Sequence, residues 1–458
     1  MMLLVKARKR QMTFMKQQIQ LSDHFTYKRL LQFVLPSIAS MIFTSIYGVV
    51  DGFFVSNFVG KDPFTGLNII MPFIIILGAV GNMIGIGGSA LIAKTLGEGE
   101  NEKANRLFSF FVYFMIFIST IFALIGFVLV PQIASVLGAE GEVLKHAIVY
   151  GRIMMIGNIF YSLQYTFQGF LITAEQPKVN FRITVMAGVT NIIFDALFIA
   201  LFKWGIAGAA LATIMGQLVG SLTPMYLFAT EHWILRLGKP QIDFKALGKA
   251  CTNGSSEFLS NISMSIVGIL FNLQLLKYAG NDGVAAYGVI MYVNMIFIAI
   301  FFGYCMGTSP IIGYHYGAKN TDELKNIFKK SIVLMTLVSI AMMILAEVLA
   351  KPLAFIFTSY DQQLMQLTIE AFRIYSISFV FSGIGIFGSS MFTALNNGLI
   401  SAILSVERTV ILQVVFVYAL PLLWGIDGVW WSIVFAEGIS MVITLAFILV
   451  YRKRYQYI

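Results

Sequence analysis

Apolar residues occur along this chain in long blocks that are separated by short polar segments. A block of about 20 apolar residues forms a helix long enough to cross the hydrocarbon core of a bilayer. The predicted helices lie at residues 30–58, 66–94, 108–130, 150–172, 180–201, 205–229, 257–279, 284–316, 329–350, 371–397, 401–423 and 428–450. The pattern therefore predicts an all-α polytopic membrane protein with twelve transmembrane helices, and an even number of spans places both termini on one side.

The second half of the chain repeats the first at a constant offset of 220 residues. The offset superposes Gly60 on Gly280, Met71 on Met291, Gly87 on Gly307, Gly97 on Gly317 and Gly205 on Gly425. A repeat of six spans keeps one orientation, so the halves are related by an axis along the membrane normal. We expect two pseudo-symmetric six-helix lobes around a central cleft, the layout of alternating-access transporters. The predicted parts are a basic N-terminal segment at 1–29, an N-lobe at 30–229, a linker at 230–256, a C-lobe at 257–450 and a basic tail at 451–458.

Composition excludes a soluble domain. Hydrophobic residues make up 58% of the chain and charged residues 12%, against about 45–50% and 25% in average globular proteins. The formal charge of +9 does not require a nucleic-acid partner, because the Lys and Arg residues concentrate on the predicted side of the termini. By the positive-inside rule this side is cytoplasmic. The count includes Lys6, Arg8, Lys9, Arg10 and Lys16 in the N-terminal segment, and Arg408 near the start of the eleventh helix.

Several functional classes lack support in the sequence. The basic opening leads into polar KQQIQ, so we expect no cleavable signal peptide. Cys251 and Cys305 are far apart and predict neither a disulfide framework nor a metal site. The glycines of GIGGSALIAK lie in a predicted transmembrane helix without a P-loop ending, and no enzyme signature or nucleotide-binding domain is recognisable. Transport is therefore expected to use an ion gradient.

The stretch Pro36–Asn57 is apolar except for one carboxylate, Asp51. An Asp at the centre of a bilayer costs roughly 2.5–3.5 kcal/mol, so such a residue is expected to face a water-filled path. Tyr47 precedes it by four residues and lies on the same helix face. We interpret Asp51 as the binding site of a proton or small cation; the alternative is a structural Asp paired with a neighbouring helix. Pro36 is either a hinge below this carboxylate or a permitted first-turn proline.

A second embedded acid, Asp195, follows Asn191 by four residues in TNIIFDALFI. If Asp51 and Asp195 converge, burial and like charge both favour sharing one proton between them. The alternative is that Asn191 and nearby hydroxyls hold Asp195 structurally.

The remaining embedded acids are Glu257, Glu407 and Glu437. Glu437 falls on Gln217 at the 220-residue offset, so both are candidates for the cleft or for contacts between helices. Glu257 begins a helix that faces the predicted cleft and is a candidate substrate contact. Glu407 is adjacent to Arg408, which favours an interfacial ion pair. Met and Phe residues, among them Met291 and Met295, are candidates for an adaptable cleft that suits lipophilic cations.

Four stretches together give the chain a specific resemblance to the multidrug and toxin extrusion (MATE) family over almost its whole length: PSIASMIFTSIYGVVDGFFV, GIGGSALIAKTLGEG, NIIFDALFI and GIAGAALATIMGQ. The chain looks nearest to bacterial and archaeal members with an acidic pair in the N-lobe. The resemblance implies an N-lobe cluster of Tyr47, Asp51, Tyr150, Gln168, Asn191, Asp195 and Thr213.

The sequence departs from the family pattern at three positions of the N-lobe: Gln168 stands in place of Asn, Ala196 in place of Pro and Thr173 in place of Arg. An acid that some members carry in helix 10 is absent from 371–397, which favours coupling in the N-lobe.

From the residues and the resemblance together we expect a monomeric antiporter in the bacterial cytoplasmic membrane. It would export amphipathic or cationic small molecules in exchange for protons, with Na+ at Asp51 and Asp195 left open as the coupling ion. No other cofactor is expected. The alternatives are a flippase for lipid-linked oligosaccharides or lipids, which should have a basic cleft, and a membrane-embedded enzyme or receptor.

Overall fold

The structure, a computed structural model, describes residues 19–458 of the chain. The basic residues from Lys6 to Lys16 that enter the orientation prediction lie outside this range. The described residues form twelve helices: α1 Tyr27–Phe58, α2 Lys61–Gly97, α3 Asn101–Val136, α4 Gly141–Thr173, α5 Pro177–Asp195 continued by Ala196–Leu201, α6 Gly205–Thr230, α7 244–279, α8 281–317, α9 Thr321–Thr358, α10 Gln362–Ser376 with Phe379–Ala394, α11 398–424 and α12 Ile426–Tyr455.

The predicted number of helices and the all-α fold class are confirmed for the described residues. Nine continuous helices in this part are long and apolar enough to cross a membrane, with 244–317 counted as one, and the bent α10 makes ten. Every helix overlaps its predicted span.

The largest difference from the predicted boundaries is at α7, which begins at Phe244 rather than at residue 257. Asp243 caps it by accepting hydrogen bonds from the backbone N–H groups of Lys245 and Ala246. Hydropathy marks only the apolar part of a helix, and the first turns of α7 are polar. The connection between the lobes is therefore 231–243 instead of 230–256. For the same reason α12 continues to Tyr455, into the predicted tail.

Backbone geometry confirms the internal repeat. Residues with positive φ recur at the 220-residue offset in three pairs of turns: Gly60 with Gly280, Gly99 with Lys319 and Gly205 with Gly425. In each pair a left-handed residue ends one helix or separates it from the next. At Gly280, where φ is 62°, it separates α7 from α8. The two lobes thus have the same fold.

Glycines bring the lobes together near the end that holds residue 19, which we call the basic end. A Cβ at Gly254 of α7 would lie 1.9 Å from the Met83 carbonyl oxygen of α2. A Cβ at Gly97 of α2 would lie 1.9 Å from the Tyr314 carbonyl oxygen of α8. Backbone-to-backbone contact of this kind needs residues without side chains. The packing closes the basic end of the molecule.

Residues 20–25, which contain a turn at 21–22, join this closure before α1. The backbone N–H of Leu21 donates to Glu175 Oε1 of the N-lobe at 2.7 Å. The N–H of Phe25 donates to Glu323 Oε1 of the C-lobe at 2.8 Å, and Leu21 and Phe25 are both fully buried. The segment therefore connects the two lobes across the basic end.

Candidate functional site

A cavity of about 500 Å³ lies in the middle of the molecule, farther from the basic end than the glycine contacts. Its walls come mainly from five N-lobe helices, with three residues from α7 and α8 of the C-lobe. The lining includes Thr44, Tyr47, Asp51, Met71, Asn82, Tyr150, Tyr161, Gln164, Tyr165, Gln168, Asn191, Thr213, Gln217, Asn261, Tyr292 and Met295. The cavity is thus lined by aromatic rings and amides, and Asp51 is the only carboxylic acid among its described lining residues.

The structure brings Asp51 and Asp195 together. The Asp51 carboxyl group on α1 lies beside the Asp195 carboxyl group and the Asn191 amide on α5. Asp51 lines the cavity, and Asp195 lies behind it with 0% of its surface exposed. One acid of the pair therefore lines the cavity, and the other is buried behind it.

The polar atoms of the acid pair and of Asn191 have few hydrogen-bond partners in the described part of the protein. Among the described residues, neither oxygen of Asp195, nor Asp51 Oδ1, nor either amide atom of Asn191 has a partner at hydrogen-bond distance and angle. Asn191 and hydroxyl groups thus do not hold Asp195, the structural alternative raised by the sequence. Two adjacent carboxylates repel each other unless a proton or a cation lies between them. The arrangement is chemically suited to taking up one or the other.

Two glycines that the sequence reasoning missed allow this approach of helices. A Cβ at Gly188 of α5 would lie 2.5 Å from Phe43 Cε1 and 3.1 Å from Tyr47 Cδ1 of α1. A Cβ at Gly216 of α6 would lie 3.0 Å from the Asn191 Cβ. Gly188 therefore sets the distance between the helices that carry the two acids. Directly after Asp195 the helix widens into a π-helical turn, Ala196–Leu201, where the family pattern has proline.

Tyrosines form the wall around Asp51. Tyr47 and Tyr150 both interact electrostatically with its carboxyl group, and the Tyr150 hydroxyl lies beside that of Thr213. Tyr161 and Tyr165, which sequence reasoning did not select, stack edge to face with ring centroids 5.1 Å apart. Their spacing of four residues in YSLQYTFQ, with Gln164 and Gln168 on the same helix, is the signal that would have found them.

Of the other candidate residues, some line the cavity and some do not. Gln168, Gln217 and Met295 line the cavity, whereas Glu257, Glu437 and Met291 are outside its described lining. Asn261, one turn beyond Glu257 on α7, lines the cavity, whereas Glu257 was the residue expected to do so. Pro36 lies well inside α1, which begins at Tyr27, so the first-turn alternative is wrong. A proline there removes one backbone hydrogen bond from the helix interior.

The expected interfacial pair of Glu407 and Arg408 is wrong. Arg408 lies in the interior of α11, not at a cytoplasmic surface, and only 8% of it is exposed. Its Nη1 is 3.4 Å from both carboxylate oxygens of Glu437 on α12. Glu407 instead accepts a hydrogen bond from Ser440 Oγ at 2.8 Å. Adjacent residues on a helix point in different directions, which is why the pair forms across helices.

A family model described as MatE matches residues 36–197 and again residues 258–419. The two matches fall on the two lobes and cover most of the chain. The chain belongs to the MatE family. Members of the MatE family are transporters rather than enzymes, so this protein is a multi-pass membrane transporter.

Individual MatE-family proteins resemble the chain from end to end. The multidrug export protein MepA of Staphylococcus aureus (strain MSSA476) is 26% identical over 434 residues, which are 93% of this chain and 94% of that protein. A solved structure described as the outward-facing conformation of a multidrug resistance MATE family transporter of the MOP superfamily superposes with a TM-score of 0.90 at 23% identity. A structure of MATE in the straight conformation gives a TM-score of 0.89 at 22% identity. Both cover 95% of this chain and 98% of theirs, and they show the shared fold.

Proposed function

We propose that this MatE-family transporter exports amphipathic or cationic small molecules from the bacterial cytoplasm in exchange for protons. The observation that carries the proposal is the acid pair of Asp51 and Asp195 in the wall of an aromatic cavity between the lobes. The 26% identity to a multidrug export protein over almost the whole chain supports the same substrate class. On this proposal the basic end faces the cytoplasm, as the positive-inside rule requires.

The coupling step is an exchange at Asp51. With the pair ionised, the cavity carries a negative charge beside tyrosine rings, a setting that attracts a lipophilic cation through charge and cation–π contact. A proton that binds to the pair halves its negative charge, which weakens this attraction, and it also relieves the repulsion between the two carboxylates. Substrate and proton therefore compete for the same charge, and their competition makes the exchange obligatory. Sodium at the two carboxylates is the alternative coupling ion.

The lining of the cavity argues against the flippase alternative. An anionic lipid-linked substrate needs basic groups, yet the described lining includes no Lys or Arg. The acid pair would repel such a head group.

Transport by membrane vesicles with the basic end outward tests the proposal. We expect ethidium uptake into such vesicles to require an inward-acid pH gradient, and D51N to reduce it to the level of empty vesicles. D62N is the matched control, because Asp62 is an exposed Asp in the first turn of α2. Uptake driven by a sodium gradient alone would identify Na+ as the coupling ion, and uptake by D51N equal to that of D62N would refute the role of the pair.

A further inference from the structure

The two lobes differ at the positions that form the N-lobe site. At the 220-residue offset Asp51 falls on Phe271 and Asp195 falls on Val415. Phe271 is buried and stacks on Tyr287 with ring centroids 5.4 Å apart. The C-lobe therefore has an aromatic pair where the N-lobe has its cavity acid.

The C-lobe carries its charge at other positions of the repeat. Arg408 falls on Gly188, and Glu437 falls on Gln217, so each replaces an uncharged residue of the N-lobe site. The Arg408 side chain lies over Gly385, where a Cβ would be 3.1 Å from its Cδ. Gly385 in turn falls on Tyr165, which lines the N-lobe cavity. In the C-lobe Arg408 thus lies against Gly385, whereas in the N-lobe Gly188 lies against Phe43 and Tyr47 of α1.

Among the described residues, the guanidinium group forms an ion pair with Glu437 on α12 alone. Two further acids, Glu407 beside it on α11 and Glu257 on α7, interact with it electrostatically without forming an ion pair. Cys305 on α8 and Tyr375 on α10 also interact with it. Glu407, of which 9% is exposed, leaves its Oε2 buried without a partner among the described residues. Of the three acids, Glu437 is thus the one that the fixed cation neutralises.

We infer that Arg408 is a tethered cation: its guanidinium group occupies the place in the C-lobe where a mobile cation would otherwise bind beside Glu437. Buried carboxylates need a counter-charge. Because the chain supplies it to Glu437, this carboxylate exchanges no ion during the cycle, and α11 stays joined to α12. The statement about exchange rests on the proposed function, whereas the placement of the cation does not. Removing the guanidinium group then creates a site for a monovalent inorganic cation.

The test is the thermal unfolding midpoint of the purified full-length protein, measured in NaCl and in choline chloride at equal ionic strength. We expect R408Q to lower the midpoint in choline chloride by on the order of 5 °C, since it leaves Glu437 unpaired. Replacing choline by Na+ should restore most of this loss. The double variant R408Q/E437Q should recover the midpoint in choline chloride and lose the response to Na+. R373Q is the matched control, because Arg373 is an exposed residue of α10. Its midpoint should equal that of the wild type in both salts.

All variants are also made with D51N/D195N, so that any Na+ response of the N-lobe pair is removed. If R408Q fails to fold, recovery of a folded protein in R408Q/E437Q supports the same conclusion. An R408Q midpoint that equals wild type, or that falls without any response to Na+, would overturn the inference, as would a double variant no more stable than R408Q. The measurement contains no transport step, so its failure is distinct from a failure of the proposed function.

Discussion

Gly188 of α5 lies directly under the ring of Phe43 of α1, so close that a Cβ would come within 2.5 Å of the ring carbon Cε1. The contact holds together the two helices that carry Asp51 and Asp195. The distance between the acids therefore depends on a residue that has no side chain.

We predict that G188A separates the acid pair and lowers drug transport by at least about tenfold, because small displacements of reacting groups have large effects on rate. Alanine favours a helix over glycine by about 1 kcal/mol, so loss of helix propensity is not the cause. The measurement is ethidium transport normalised to the amount of protein in the membrane. G268A is the control, since a Cβ there meets nothing within 4 Å. Equal transport by the two variants would contradict this role of Gly188.

The closure at the basic end gives a second prediction. G254A places a methyl group 1.9 Å from the Met83 carbonyl oxygen and should destabilise the protein by roughly 1–3 kcal/mol, the usual effect of overpacking. G248A on the same helix faces open space and should leave the unfolding midpoint unchanged or raise it slightly. Thermal unfolding in detergent compares the two. A G254A protein as stable as G248A would show that the lobes are not in backbone contact there.

The contact between Leu21 and Glu175 predicts a dependence of stability on pH. Burial, aided by the nearby Asp23, raises the pKa of Glu175 from its ordinary 4.5 to about 7, although the Leu21 N–H opposes the shift. Between these two values the folded protein holds a proton that the unfolded chain has released. The contribution of Glu175 to stability is therefore complete below pH 4.5 and is lost as the pH rises to about 7.

We expect the unfolding midpoint temperature of the wild type to decrease as the pH is raised from 5 to 8. The E175Q variant should show a smaller decrease. The readout is the slope of midpoint against pH. E231Q, at an exposed position after α6, should keep the wild-type slope. An E175Q slope identical to that of E231Q would mean that Glu175 does not titrate in this window.

Hydropathy was sufficient to locate all twelve helices, because apolar length is a property of sequence alone. It could not find the start of α7, since the polar first turns near Asp243 resemble a loop until a cap is seen. The acid pair could be predicted for a similar reason, because an Asp within a long apolar stretch is easy to recognise in a sequence. Its partners were harder to predict, because Tyr161 and Tyr165 are ordinary residues in a membrane helix.

Arg408 shows why spacing along the chain was misleading. Its neighbour in sequence is Glu407, but its partner is Glu437 on another helix, 3.4 Å away. Pairing across helices depends on how α11 and α12 rotate against each other, and a single sequence holds no record of that rotation. The importance of Gly188 was hidden for the same reason, because its role is defined by Phe43 on α1.

Proton release on substrate binding tests the central claim most directly. Purified protein in weakly buffered solution near neutral pH is mixed with tetraphenylphosphonium, and the released protons are measured with a pH indicator. If Asp51 and Asp195 exchange a proton for substrate, wild type and D62N release protons in proportion to the substrate bound, and D51N/D195N releases none. Proton release by D51N/D195N equal to that of wild type would contradict the account.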